Sequence, residues 1–187
     1  MITSPSNLIE GVILILKANA ENINAIAKQY RKTDTLHLFK GMRKTLPQSA
    51  FPSLELEATS GSMNWLTTSA QTGEYTIDCT LTVNAGTSIE AGLEYICDLT
   101  RKIVQVLNAP VNMTWEIPNE FWDTDGKIPQ LCQYSSVASV EYSATKDFAI
   151  RVARWQIQCR VIEPFPHPGD LLGPKRQNWH PVPLRPK

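Results

Sequence analysis

From Tyr75 to Val83 the chain reads Tyr-Thr-Ile-Asp-Cys-Thr-Leu-Thr-Val, with every odd position apolar and every even position polar. That period belongs to a strand with one buried face and one wet face. Asn84-Ala85-Gly86 breaks the alternation, and Thr87 with Glu90 three residues on offers a capping box for a helix that begins near Ser88. Along that helix Ile89, Leu93, Ile96, Ile103 and Leu107 form an apolar stripe with Leu99 and Val106 at its margins. Glu90, Glu94, Asp98, Arg101, Lys102 and Gln105 lie mostly off it. Roughly 1.5 Å of rise per residue makes this a rod of about 30 Å, long enough to cover a sheet face. Asp98 and Lys102 make a favourable i,i+4 pair, and Asn108-Ala109-Pro110 stops the helix. A strand and a helix that each have one apolar side must stack, and this predicts the core of an α+β domain.

The flanking sequence extends that core on both sides. Ser4-Pro5, or Asn7 with Glu10, opens a helix expected over residues 6–31, with Leu8, Ile9, Val12, Ile13, Leu16, Ile23, Ile26 and Tyr30 on its apolar side and a break near Asn22. Thr33 to Gln48 allows a short second helix around Leu36 to Arg43. From Phe51 the pattern turns to strand, with Leu54, Leu56 and Ala58 alternating against Ser53, Glu55 and Glu57. Ser60-Gly61-Ser62 reads as a turn, Met63 to Thr68 as another strand, and Gln71-Thr72-Gly73 as a second turn leading into Tyr75; together they predict an antiparallel meander. A loop-rich insertion from Pro110 to Pro129 holds Trp115, Phe121 and Trp122. Strands follow at Val137 to Tyr142 and Phe148 to Glu163, and in the latter the apolar phase slips by one at Ala153-Arg154, which predicts a β-bulge. Residues 1–163 thus read as a single α+β domain, an antiparallel curved sheet of about five strands with two main helices on one face. Residues 164–187 hold seven prolines among 24 residues and read as an extended, polyproline-like C-terminal arm.

Composition narrows the function classes. Among 187 residues, 18 Lys plus Arg balance 18 Asp plus Glu, which gives no general claim on nucleic acid or an anionic membrane. Cys79, Cys97, Cys132 and Cys159 lack CxxC spacing and are read as small buried hydrophobes in a reducing compartment. The apolar run Val12 to Leu16 is too short to span a bilayer, and no secretory leader is read at the N-terminus. A soluble protein made in a cytoplasm is expected.

Catalysis needs convergent polar groups, and the usual arrangements are missing. His37, His167 and His180 are widely separated, and no GxSxG, HExxH, P-loop or GxGxxG string occurs. Asp123-Thr124-Asp125-Gly126 would put Phe121 and Cys132 at ligand positions of a calcium loop, so it reads as an Asp-Gly turn. No enzyme, cofactor or metal is expected. Two rival classes stay open: a small enzyme using Glu116, Glu120, Asp123 and Asp125, and a DNA-binding module using Arg151, Arg154 and Arg160, which are otherwise read as partners for strand carboxylates such as Glu55 and Glu57. In the arm, Trp179, His180 and Leu184 are read as anchors for a partner.

The run Phe51-Pro52-Ser53-Leu54-Glu55-Leu56, the Gly61 turn, the Tyr75–Val83 strand and the helix containing Asp98-Leu99-Thr100 resemble the tail-terminator, or tail-completion, proteins of tailed bacteriophages. The resemblance covers roughly residues 1–163 and is sharpest over 51–107; the chain departs from the family at Asn19 to Gln48, at 110–130 and in the arm. It implies a non-enzymatic virion protein with helices on one face of a curved sheet, made in the host cytoplasm. Such a protein forms a homo-oligomeric ring, expected here as a hexamer, that caps the tail tube beneath the head connector. The implied partners are a second copy, the tail tube protein and neck or connector proteins, with DNA passing through the ring without sequence-specific contact and no membrane involved. Under this reading Trp179, His180, Leu184, Trp122, Phe121, Thr80 and Arg154 are the candidate partner-binding residues. The wet-face residues Thr76, Asp78, Thr80 and Thr82 are expected toward the lumen or a neighbouring subunit.

Overall fold

The computed structural model describes residues 5–43, 45–65, 70–84, 86, 89–117, 131–144 and 149–164. Among these residues there are three helices, α1 (Pro5–Ala18), α2 (Ala20–Tyr30) and α3 (Ile89–Leu107), and six strands. The strands are β1 (His37–Lys40), β2 (Ser53–Trp65), β3 (Ala70–Asn84), β4 (Trp115–Glu116), β5 (Leu131–Ala144) and β6 (Ile150–Pro164). They make one sheet in the order β1-β2-β3-β6-β5-β4. The fold is α+β, but the sheet is mixed rather than wholly antiparallel, because β1 runs parallel to β2 while the other neighbours are antiparallel. Leu8, Val12 and Leu16 of α1, Ile23 and Ala27 of α2, and Ile96, Leu99 and Ile103 of α3 bury one sheet face, represented by Leu54, Leu56, Ile77, Leu81 and Ile157.

The first predicted helix divides at Asn19 rather than near Asn22. The Asn19 side chain donates to the Ile15 carbonyl at 2.9 Å, and its own N–H donates to Leu16 at 3.2 Å; this local hydrogen bonding lets α2 leave in a new direction. Leu36 to Arg43 contains a strand, not a helix. The Leu36 N–H is taken by Asn24 Oδ1 at 2.8 Å, the His37 and Gly41 N–H groups bond Pro52 and Leu56 of the β2 side, and Leu38 packs on the core. Gly41 at φ +82° then ends the strand in a conformation that favours glycine.

Neither sequence-predicted turn in the meander exists as a turn. Ser60-Gly61-Ser62 lies inside β2, where a register shift between Ala58 and Ser60 marks a bulge, and Gln71-Thr72-Gly73 lies inside β3. The glycines serve a ring: a Cβ on Gly61 would sit 2.9 Å from Tyr75 Cδ1, and one on Gly73 would sit 2.5 Å from Tyr75 Cε2. Tyr75 lies over both bare backbones and is itself buried. The reversal between β2 and β3 falls outside the described residues.

The apolar stripe of α3 is rotated from its expected setting. Tyr95, Ile96, Leu99, Thr100, Ile103, Val106 and Leu107 face inward, whereas Leu93 is 48% exposed. Tyr95 turns the helix: its ring stacks on Tyr30 at 4.8 Å, and its hydroxyl donates to Asp34 at 2.8 Å. Asp98 pairs with Arg101 at 3.2 Å rather than Lys102, and also accepts from the Tyr30 hydroxyl at 2.6 Å. Thr87 of the expected capping box lies outside the described residues, while the Gly86 N–H bonds Asn84 Oδ1 at 3.0 Å and Gly86 takes φ +67°.

β6 keeps unbroken register with β3, from Asn84 opposite Ile150 to Ala70 opposite Pro164, so no bulge occurs at Ala153-Arg154. Arg151 takes a buried, inward position, and odd-numbered side chains therefore point inward through Val161. The bulges of the β5–β6 pairing sit in β5, between Cys132 and Tyr134 and between Val137 and Val140. Cys79, Cys132 and Cys159 are buried and Cys97 is half-buried, none of them in a disulfide, as expected of small hydrophobes; burial pushes the Cys79 thiol well up.

Candidate functional site

One residue along each strand from the core row, the sheet presents a polar outer face. Across five strands the register gives Phe39, Glu55, Thr80, Arg154 and Glu141 as one continuous row. Below it run Glu57, Asp78 and Gln156, with Gln156 Nε2 donating to Asp78 Oδ1 at 2.9 Å. The chain after β1 folds over the Glu55 end of the upper row: the Arg43 N–H donates to Glu55 Oε1 at 2.7 Å and the Arg43 guanidinium lies 4.5 Å above the Phe39 ring. Glu55 is consequently buried on what is otherwise the wet side of β2, where Ser53 is buried as well.

Thr80 and Arg154, two of the sequence-selected partner residues, are direct cross-strand neighbours. Arg154 is exposed between Thr80 and Glu141, while Thr80 is only 8% exposed. The expectation of Thr80 as an open lumen-facing side chain is therefore corrected: the longer side chains at Glu55 and Arg154 flank the threonine, and the open positions of this face are Arg154, Gln156, Gln158 and Arg160 on β6. Phe121, Trp122, Trp179, His180 and Leu184 lie outside the described residues.

The arginine trio divides between the two faces. Arg154 and Arg160 lie on the outer face six residues apart, roughly 20 Å at about 3.3 Å per residue, whereas Arg151 is buried on the helix side. Of the carboxylates in the enzyme alternative, Glu116 is the last residue of β4, and Glu120, Asp123 and Asp125 lie outside the described residues. His37 is exposed on β1 and stacks on Phe39 at 6.5 Å. Among the described residues no group of three or more His, Cys, Asp or Glu side chains could hold a metal ion, and no helix is long and apolar enough to cross a membrane.

The edges of the sheet hold residues that sequence reasoning missed. β4 pairs only with Leu131 and Cys132, so among the described residues no strand other than β6 pairs with β5 beyond that point. The Ser135 and Val137 N–H groups point away from β6 and are taken by the Met113 carbonyl at 3.1 Å and Asn108 Oδ1 at 3.0 Å. From Ser139 to Ala144 β5 is exposed except for half-buried Val140. Beside it, a largely apolar groove of about 380 Å³ runs between α3 and the strand, with Cys97, Val104, Val140 and Tyr142 in its wall. The only signal in the sequence was the small, polar character of Ser135, Ser136, Ser139 and Ser143, which does not distinguish an edge from a wet face.

No known family model matches the chain, and no curated protein matches it. Among solved structures, a chain from the virion of a native gene transfer agent particle superposes with a TM-score of 0.44 at 9% identity, over 83% of this chain and 95% of that one. A likeness of that size carries no weight for function.

Proposed function

We propose that this protein is a non-enzymatic structural component of a tailed-phage virion. It forms a homo-oligomeric ring, a hexamer, at the head–tail junction, where it terminates the tail tube and joins it to the neck. The observation that carries the reading is the division of one sheet into a helix-packed face and a polar outer face, with an exposed strand at each side. This agrees with the one-sided α+β architecture implied by the resemblance of residues 51–107 to tail terminators. Exposed edges and a polar wall suit a subunit that is completed by neighbours rather than by a small substrate. Residues 1–163 form the assembling domain; Trp179, His180 and Leu184 of the arm, with Phe121 and Trp122 of the insertion, anchor it to an adjacent subunit, tube or neck protein. Arg154 and its row face a neighbour or the lumen, where DNA passes without base-specific contact.

Purified full-length protein, weighed in solution and imaged alone and with isolated tail tubes, tests this reading. Rings, or binding at tube ends, are expected, and truncation after Glu163 should leave the domain folded while weakening assembly. A protein that neither forms rings nor binds tube or neck proteins sinks the proposal.

A further inference from the structure

The two exposed edges stand at the same level of the sheet. Following the register strand by strand, Leu38 lies in one line with Leu54, Leu81, Ala153 and Tyr142. Phe39 ends in line with Glu141, and Lys40 with Val140. β1 and the Val140–Ser143 segment are therefore opposite ends of the same rows, separated by four strand spacings, roughly 19 Å at about 4.8 Å each.

Their free backbone groups also match. The His37 and Gly41 N–H groups bond toward β2, so by alternation those of Leu38 and Lys40 point out of the sheet. On the far side, outward-pointing Ser135 and Val137 lie opposite Cys159 and Ile157, so the even positions of β6 bond to β5 and the odd positions bond to β3. Beyond the bulge, Val140 and Tyr142 lie opposite the odd positions Trp155 and Ala153, and their N–H and C=O groups point outward. Outward Leu38 is level with outward Tyr142, and outward Lys40 with outward Val140. β1 and β5 run in opposite directions, since β1 follows β2 and the next three pairings each reverse the chain.

We infer that the β5 edge at Val140–Ser143 takes the β1 edge of a second copy of this chain, antiparallel and in the register Leu38–Tyr142, Phe39–Glu141, Lys40–Val140. The inference rests on the ring reading above and names its contact. Such a join uses a different patch on each partner, which makes it heterologous and able to propagate around a ring. Charges complement one another on the outer face: Glu141 is exposed on the receiving edge, and opposite it β1 brings Phe39 with the Arg43 guanidinium 4.5 Å above its ring. Apolar surface does so as well. Leu14, Met42 and Tyr142 are 49%, 45% and 46% exposed, although all are large hydrophobic residues, and each belongs to one of these two sides. Glu10 of α1 reaches Lys40 at 3.7 Å, and Leu14 is one turn further on the same helix face, so α1 of the arriving copy carries Leu14 toward the groove walled by Val104, Val140 and Tyr142.

Phe39 and Glu141 would be a non-hydrogen-bonded antiparallel pair, whose Cα separation of about 4.5 Å falls within disulfide range. In a Cys97→Ser background, full-length Phe39→Cys and Glu141→Cys proteins, mixed and mildly oxidised, should form a cross-linked heterodimer; His37→Cys mixed with Glu141→Cys, two residues out of register, should not. Lys40→Pro removes an N–H that points out of the subunit, so rings should be lost while the urea unfolding midpoint stays unchanged. Rings that persist in Lys40→Pro, or a ring-containing mixture that gives no 39–141 cross-link, overturn the edge pairing and leave the ring reading standing. A protein that forms no rings and binds no tube ends overturns the ring reading; a 39–141 cross-link in that same protein sustains the edge pairing alone, and its absence removes both.

Discussion

The helix side and the outer side of the sheet use the same four long strands, yet a single residue step separates Leu54, Leu81 and Ala153 from Glu55, Thr80 and Arg154. Inward, the row is sealed beneath α1 and α3; outward, the strand-centre row is half covered by the segment around Arg43 and otherwise meets solvent. The difference shows where each kind of substitution will be felt. Leu81→Ala, at a fully buried site, should cost about 3 kcal/mol of unfolding free energy in urea. Gln158→Ala, on the exposed outer face, should change it by less than about 0.5 kcal/mol. Equal losses at the two sites would mean that the outer face is also a packed interface within the monomer.

A smaller effect is expected where α1 meets β4. A Cβ on Gly11 would run into the six-membered ring of the Trp115 indole, so the helix approaches this strand only because no side chain intervenes. Gly11→Ala should therefore destabilise by about 2 kcal/mol through overpacking, despite the better helix propensity of alanine. Trp115→Leu in the same protein should restore most of the loss. Failure of that rescue would place the cost elsewhere.

Next in size is the clasp between α2 and α3. Tyr30 donates to Asp98 and Tyr95 to Asp34, with the two rings stacked, so Tyr30→Phe should cost about 1 kcal/mol. The hydrogen bond to Asp98, followed by burial, pushes the Tyr30 hydroxyl from 10.0 up to about 12, and burial followed by the Asp34 hydrogen bond raises Tyr95 further. Because the folded protein holds these protons more tightly than the unfolded chain, their contribution is complete below pH 10 and is lost as pH rises through the folded pKa values. The urea midpoint should fall from pH 10 toward 12 in the wild type and less steeply in Tyr30→Phe; an unchanged slope would remove Tyr30 from the account.

The same contrast explains what the sequence could disclose. Strict alternation from Tyr75 to Val83 and the amphipathic run that follows were readable because a long strand with one wet face and a helix with one apolar side leave strong periodic marks. The helix phase was not, since Tyr95 turns inward through contacts with Tyr30 and Asp34, more than sixty positions away. Gly61 and Gly73 imitate turns, and only the Tyr75 ring lying over them explains glycines inside long strands. Arg151 on the buried face imitates a phase slip in β6, while the true bulges lie in β5, where serines on both faces hide the phase. β1 has four residues and too little pattern to separate strand from helix. Of the candidate site, Thr80 and Arg154 were legible as wet-face residues, but which strands end a sheet is a property of topology and leaves no local mark.

The smallest effect on the fold is expected at Arg154. Its guanidinium stands in solvent between Thr80 and Glu141, and an exposed cross-strand pair contributes about 0 to 1 kcal/mol because water screens it and two long side chains must be ordered. Arg154→Ala should leave the unfolding midpoint within error of wild type. Thr80→Arg, by contrast, places a long cation in a nearly closed position beside Arg154, and should cost more than the removal of Arg154 itself. If the outer row faces a neighbouring subunit, Arg154→Glu replaces a cation in that contact by an anion and should change self-association more at low salt than at high salt, since salt screens charge contacts between subunits. Self-association that is indifferent to both the charge reversal and the salt would turn the outer row toward the lumen. The edges Leu38–Lys40 and Val140–Ser143 would then be left to hold the subunits together.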